Sequence, residues 1–185
     1  MGLDRSAILA AAREILQTYG LADLSMRRIA TQLGVQPGAL YWHIDNKQAL
    51  LAALSDEFLS SLPCPQGKPS VVVTTWAHAL REALLAHRDA AELVASVLAM
   101  RMGSISPIAH LAALLPEHPT PELTASAVTH FVLGHCADEQ GHAQLVRLGV
   151  TQPEPERSAQ VAFAHGLKLL VAGMEQTVPD QSSGS

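Results

Sequence analysis

Residues 25–44 read SMRRIATQLGVQPGALYWHI, and this stretch decides the architecture. Two short helical patterns meet in it at a glycine-containing turn. Ala30 has to be small, because a second helix crosses close above it. Gly34 supplies the positive φ that reverses the chain without steric cost. Leu40 plugs the angle between the helices, and Ile29, Leu33 and Ile44 complete a minimal core. No acidic residue falls between Asp23 and Asp45, while Arg27, Arg28 and His43 lie in that interval. A surface of this sign suits contact with phosphate.

On the N-terminal side, Ile8, Ala12, Ile15, Leu16 and Tyr19 recur at helical spacing behind a capping Asp4, and Gly20 ends the pattern. Ser25 caps the second helix. Gln36 and Pro37 open the third, with proline in the first turn where its missing N–H costs nothing. Asp45 or Asn46 caps a fourth helix over 46–62, carrying Leu50, Leu51, Leu54 and Phe58 along one side. The run PCPQGKP at 63–69 then breaks the periodicity. Further helices are predicted over 70–87, 89–100, 107–115, 121–148 and 157–177. The first of these opens on SVVVTT, a locally strand-like run that leaves its start open. The sequence holds no internal repeat and no convincing strand pair. The expected fold is all-α: a three-helix helix-turn-helix head over 1–47, a linker helix, a larger helical body over 63–178, and a disordered tail at 179–185.

Composition agrees with that division. Apolar residues make up 48 % of the 185 positions but aromatics only 4 %, and an apolar mass of Ala, Leu and Val favours helices over a β-sandwich. No apolar run approaches the roughly 18 residues of a membrane span. The N-terminus lacks a signal-peptide pattern, so a cytoplasmic protein is expected. Cys64 and Cys136 have neither disulfide-framework nor CxxC spacing and are expected to be reduced thiols. The net charge of −5 is unevenly divided. Residues 1–47 carry five Lys/Arg against four Asp/Glu, whereas the rest carries seven against thirteen. An acidic body is repelled by a duplex, so only the head is suited to approach one.

The segment SMRRIATQLGVQPGALYWHIDNKQALLAAL resembles the DNA-binding head of the tetracycline-repressor (TetR) family, with YWHxxNKxALLxAL as its most specific part. The segments ALLAHRDAAEL, SAVTHFVLGHCADEQGHAQ and QVAFAHGLKLLVAGMEQ resemble the body of the tetracycline-repressor branch. The resemblance implies a homodimeric transcriptional repressor. Its body would bind a small-molecule effector, which alters the spacing of two heads so that they leave a double-stranded operator. It implies no cofactor.

In such a head the recognition helix presents its leading turn to a major groove about 12 Å wide. Gln36, Pro37, Gly38 and Ala39 occupy that turn. Gly38 and Ala39 are small enough for close backbone approach, and Pro37 or Ala39 suits a thymine methyl group. Arg27 matches the family arginine that reaches a guanine edge, and Gln36 is a second base reader. Arg28, Tyr41, Trp42, His43 and Lys47 suit phosphates and packing. Tyr41 and Trp42 read equally well as partly buried head-core aromatics or as DNA contacts. The first-turn amides of the fourth helix offer a phosphate seat beside Lys47.

For the two-fold partner, the last helix places Phe163, Leu167, Leu170 and Met174 on one face, with Gly166 and Gly173 beside it. The long helix supplies Val128, Phe131, Val132 and His135. The resemblance assigns these two helices to an intersubunit bundle; periodicity alone fits the chain's own core equally. In tetracycline repressors a His, a Thr and a Glu hold the drug's metal chelate, and the matching positions here are Val94, Val97 and Asp138. Two aliphatic residues among three ligands serve a hard cation poorly. The expected effector is therefore hydrophobic or aromatic and metal-free. Its expected lining is Trp76, Leu80, Val94, Val97, Leu98, Met100, Met102, Ile105 and Phe131, with His130 and His135 as polar anchors. An alternative is metal or redox sensing through His135, Asp138, Glu139 and His142, which share one helix face, or through Cys136. No nucleophile motif, glycine-rich phosphate loop or HExxH is present, and no enzyme is expected.

Overall fold

A computed structural model describes residues 2–153 and 156–176, and every regular element among them is helical. In order these are α1 (Arg5–Tyr19), a single 3₁₀ turn (Leu21–Asp23), α2 (Met26–Leu33), α3 (Pro37–Leu40) and α4 (Lys47–Leu59). They are followed by α5 (Pro69–Leu85), α6 (Ala90–Ala99), α7 (Pro107–Ala113), α8 (Pro121–Arg147) and α9 (Glu156–Gln176). The expected tail at 179–185 lies outside the described residues.

Local chemistry explains most boundaries. The Asp4 carboxylate accepts the Ala7 N–H at 2.8 Å, Ser25 accepts that of Arg28 at 3.2 Å, and Ser106 that of Ala109 at 3.3 Å. Asn46, not Asp45, caps α4, its amide oxygen accepting the Ala49 N–H at 2.8 Å. Each such cap is worth about 1 kcal/mol. Gly34 sits at φ 67° and lets the amides of Gly34 and Val35 close back on Thr31 and Ala30. The fourth helix stops at Leu59, short of the expected 62, and the Ser60 N–H and hydroxyl both donate to the Glu57 carbonyl at its end. The SVVVTT run is helical: Val72 and Val73 are buried, and burial overrides their strand preference.

The chain packs as two compact units. The first is formed by residues 1–61 and 83–105, the second by 62–82 and 106 onward. The core of the first gathers Ile8, Ile15 and Leu16 of α1, Ile29 of α2, Leu40 of α3, and Leu50 and Leu54 of α4. Helix α6 packs on α4 and adds Leu93, Val94 and Val97. Tyr19, expected on the buried face, is half exposed, and the Arg28 guanidinium lies 3.8 Å above its ring. In the second unit α7 and α9 both pack on α8, around Trp76, Leu80, Leu111, Val132 and Phe163.

Candidate nucleic-acid interface and effector cavity

The helix-turn-helix is held from beneath by Ala30 and Leu40, both fully buried. That packing turns the leading end of α3 outward. Arg27, Gln36, Pro37, Gly38, Tyr41, Trp42 and His43 are exposed, and Ala39 and Lys47 are half-buried. A Cβ added at Gly38 meets nothing within 4 Å. Trp42 is 87 % exposed, which removes it from the head core and corrects that reading; Tyr41 is half exposed. Arg28 is half-buried and forms an ion pair with Asp23 while lying over Tyr19. Its charge is answered within the head, whereas the Arg27 side chain stands in the open. Asn46 occupies the Ala49 amide of α4, beside Lys47 at the helix start.

Contacts that no local pattern announces fasten α6 to the head helices. Asp89, at φ 54°, accepts the Leu21 N–H at 2.8 Å. The Arg88 guanidinium donates to the Thr18 carbonyl at 2.8 Å, and the Arg88 N–H donates to the Gln17 side chain at 3.3 Å. Gly20 permits this approach, since a Cβ there would lie 2.7 Å from the Asp89 carboxylate. Beyond the far end of α6, the Asp56 carboxylate of α4 accepts backbone N–H groups of Ser104 and Ile105. His87 stacks on Phe58 with ring centroids 4.1 Å apart. Burial, reinforced by the Arg13 guanidinium, lowers the pKa of His87.

In the second unit, the C-terminal half of α8 and the start of α9 line a half-open cavity of about 770 Å³. Its walls are His135, Asp138, Glu139, His142, Ala143, Val146, Arg147, Pro153, Ser158, Ala159 and Ala162. His135 Nδ1 and His142 Nε2 are buried and have no hydrogen-bond partner among the described residues. Glu139 is held by Arg81 at 2.7 Å, whose guanidinium lies 5.2 Å from the Phe163 ring.

Of the expected effector-lining residues, His135 alone lies on this cavity. Trp76 and Leu80 are fully buried in the second unit, and the Trp76 indole N–H donates to His110 Nδ1 at 2.9 Å. Val94 and Val97 belong to the core of the first unit. Leu98 and Ile105 are half-buried there, and Met100 and Met102 stand at its surface. Phe131 is half-buried and stacks on Phe163. His130 is exposed and its Nδ1 lies 2.8 Å from the Ser126 carbonyl of its own helix, which corrects its reading as a pocket anchor. The metal alternative finds its four residues on one cavity wall, yet among the described residues no three His, Cys, Asp or Glu converge as a metal set. The redox alternative fares worse. Burial pushes the Cys136 thiol up to about 12, the Arg81 guanidinium opposing and the Glu139 carboxylate reinforcing. A protonated, enclosed thiol is inert.

The expected dimer stripe also needs correction. Val128, Val132, Phe163, Leu167 and Met174 are buried within the chain's own second unit, and Leu170 is half-buried. Gly166 lies under Phe131, so close that a Cβ would sit 2.6 Å from the ring. The opposite faces are open. On α8, Leu123, Ala127, His130, Gly134, Ala137, Gly141 and Leu145, with its C-cap Leu148, recur at spacings of three and four and are all exposed. On α9, Val161 and Leu169 are 63 % and 61 % exposed, and Gly173 has nothing within 4 Å of an added Cβ.

An exposed recognition turn on a helical scaffold, with a separate cavity-bearing helical unit, defines a helix-turn-helix regulator. The model for bacterial regulatory proteins of the tetR family matches residues 8–54. The chain is 31 % identical to the class C tetracycline repressor protein of Escherichia coli, over 94 % of this chain and 91 % of that one. Among solved structures, BioQ of Mycobacterium smegmatis is similar at 34 % identity with a TM-score of 0.84, covering 94 % of this chain and 98 % of its own. BioQ solved with its natural double-stranded DNA operator is similar at 34 % identity and a TM-score of 0.78, covering 94 % and 98 %. The chain belongs to the tetR family of transcriptional regulators. No helix among the described residues is long and apolar enough to cross a membrane.

Proposed function

We propose that this protein is a cytoplasmic transcriptional repressor that binds a palindromic operator as a homodimer and is released by a small-molecule effector. It works by binding alone, without catalysis or a cofactor. The observation that carries the reading is the recognition turn, where Trp42 is 87 % exposed beside exposed Arg27, Gln36 and His43. An indole held in water forgoes a large apolar contact. Against a duplex it gains one, with Arg27 and Gln36 reading base edges and His43 and Lys47 meeting phosphate.

The partner surface is the open face of α8 and α9. Ala127, Gly134, Ala137 and Gly141 form a trough of small side chains that admits a second helix at close range. Leu123, Leu145, Leu148, Val161 and Leu169 supply apolar area around it. Two heads so paired fall about 34–36 Å apart, one turn of DNA. The effector site is the cavity of about 770 Å³, within the roughly 300–1,000 Å³ usual for small ligands. Ala143, Val146, Ala159 and Ala162 favour a hydrophobic or aromatic body, and His135 and His142 offer hydrogen bonds. Metal-independent recognition fits this lining, where among the described residues no three His, Cys, Asp or Glu converge as a metal set.

Band shift with DNA from the protein's own locus, alongside light scattering, tests the reading. The wild-type protein is expected to be dimeric and to retard one palindromic segment. Gly134→Arg, which plants a charge in the trough, yields a monomer with weakened operator binding. A monomeric wild-type protein, or one indifferent to every duplex of that locus, overturns it.

A further inference from the structure

We infer that the cavity on α8 and α9 recognises an elongated bisphenol, a flat aromatic body with a hydroxyl group at each end. This rests on the effector reading of that cavity and names the ligand's chemistry. His135 and His142 line one wall, and each buries one ring nitrogen, Nδ1 and Nε2 respectively, without a hydrogen-bond partner among the described residues. The other nitrogen of each ring, His135 Nε2 and His142 Nδ1, is the one left open to the cavity. Among buried backbone groups, a donor left alone is rarer than an acceptor left alone. The same preference puts the proton of each neutral ring on its open nitrogen, so both rings donate into the cavity. His135 is fixed in that pose by edge contacts with Phe131 and Phe163, at centroid distances of 5.7 and 5.5 Å.

Spacing and charge define what these donors meet. The two histidines are separated by two helical turns, which places them roughly 10 Å apart along the axis of α8. A single polar group cannot reach both. Ala143, Val146, Ala159 and Ala162 present small apolar side chains to the same space, and such a lining suits a flat ring system. Asp138 lies on the wall one turn after His135, is exposed, and forms no hydrogen bond or ion pair among the described residues. Glu139, by contrast, is held by Arg81 at 2.7 Å. The ligand group at this end must therefore accept from His135 and donate to the Asp138 carboxylate. A ketone cannot donate, an ammonium cannot accept, and a carboxylate is repelled by Asp138. A hydroxyl does both. A second hydroxyl two turns on accepts from His142, and a rigid aromatic body holds the two oxygens at the required separation without an ordering cost.

The test titrates the full-length protein with 4,4′-dihydroxybiphenyl, whose oxygens stand at the required separation, and with 4-hydroxybiphenyl and biphenyl. Affinity is expected to fall about fivefold with each hydroxyl removed, the worth of one ordinary hydrogen bond. In His135→Phe, which keeps the ring contacts with Phe131 and Phe163, the two phenols are expected to bind alike. His142→Ala should give the same result, since either change leaves one donor for one hydroxyl. Asp138→Ala, at an exposed position that packing does not depend on, should weaken both phenols and leave biphenyl unaffected. The inference is overturned if the bisphenol binds no tighter than biphenyl, or does not bind. It is equally overturned if the fivefold gap between the two phenols persists in both histidine variants. Operator release is scored separately by band shift. A bisphenol that binds with this pattern but leaves the operator occupied sinks the effector reading and leaves the recognition standing. Release by biphenyl as readily as by the bisphenol does the reverse.

Discussion

Asp56 grips the backbone of Ser104 with both carboxylate oxygens, at 2.8 and 2.9 Å, and one of them also takes the Ile105 N–H at 2.8 Å. Together with the Asp89–Leu21 bond, it fastens α6 to the head helices at both ends. Any displacement of α6 is thus delivered to α1 and α4, which carry the helix-turn-helix. A repressor needs a mechanical link of this kind if its head is to respond to events elsewhere in the chain.

Removing the Asp56 carboxylate should be costly. Hydrogen bonds to a charged group contribute about 1.5–3 kcal/mol each, and three sharing one carboxylate contribute less than their sum. Asp56→Ala is expected to destabilise the protein by about 2–3 kcal/mol, and Asp56→Asn by roughly half as much, since one oxygen remains. Urea denaturation followed by circular dichroism checks this. Equal midpoints for the wild-type protein and both variants contradict it.

Arg27 and Arg28 are neighbours with opposite expectations. Arg27 stands free of the head surface, and its replacement by alanine should weaken specific operator binding by about 1–3 kcal/mol. Arg28 is occupied by Asp23 and Tyr19, so Arg28→Ala should change operator affinity only marginally. Band-shift titrations at several salt concentrations decide the matter. A larger loss from Arg28→Ala than from Arg27→Ala is the adverse result.

Gly166 is a packing requirement of a single subunit. A methyl group there meets the far end of the half-buried Phe131 ring, which must shift against Phe163, on which it stacks at 5.4 Å. Overpacking of this kind costs about 1–3 kcal/mol. Gly166→Ala should lower the melting temperature, and Phe131→Leu in the same chain should recover part of it. Additive losses in the double variant argue against the clash.

Acidification should loosen the first unit through His87. Burial and Arg13 depress its folded pKa, so the unfolded chain takes up the proton first. Its contribution to stability is complete above the unfolded value near 6.5. That contribution is lost as pH falls from there toward the folded pKa. The melting temperature of the wild-type protein is expected to fall across this window more steeply than that of His87→Gln. Parallel curves for the two proteins remove His87 as the cause.

Much of the architecture is legible from single residues. Asp4, Ser25 and Ser106 cap their helices through their own side chains, and Gly34 turns the chain where a positive φ is required. Those interactions lie within six consecutive residues, so local sequence contains them. Asp45 and Asn46 are a case where two adjacent candidates differ only in which reaches the third amide, and geometry decides. The stripes on α8 and α9 illustrate a different limit. Both helices carry two apolar faces, and a period of 3.6 marks each without saying which meets the chain's own core. Arg81–Glu139, Asp89–Leu21 and Cys64–His110 join residues 46 to 68 positions apart, so nothing near any of them in sequence announces the partner. The cavity residues His135 and His142 are legible as one helix face, but not as the wall of a half-open cavity that α9 completes.

The open ground around Gly38 bears on how such a regulator acquires new targets. The position has ordinary helical backbone geometry and no neighbour to collide with. A side chain introduced there meets open space and leaves the packing beneath unchanged, and under the proposed operator reading it would face the groove. Promoter choice can consequently shift by one codon at a time, while the scaffold that presents that codon stays the same.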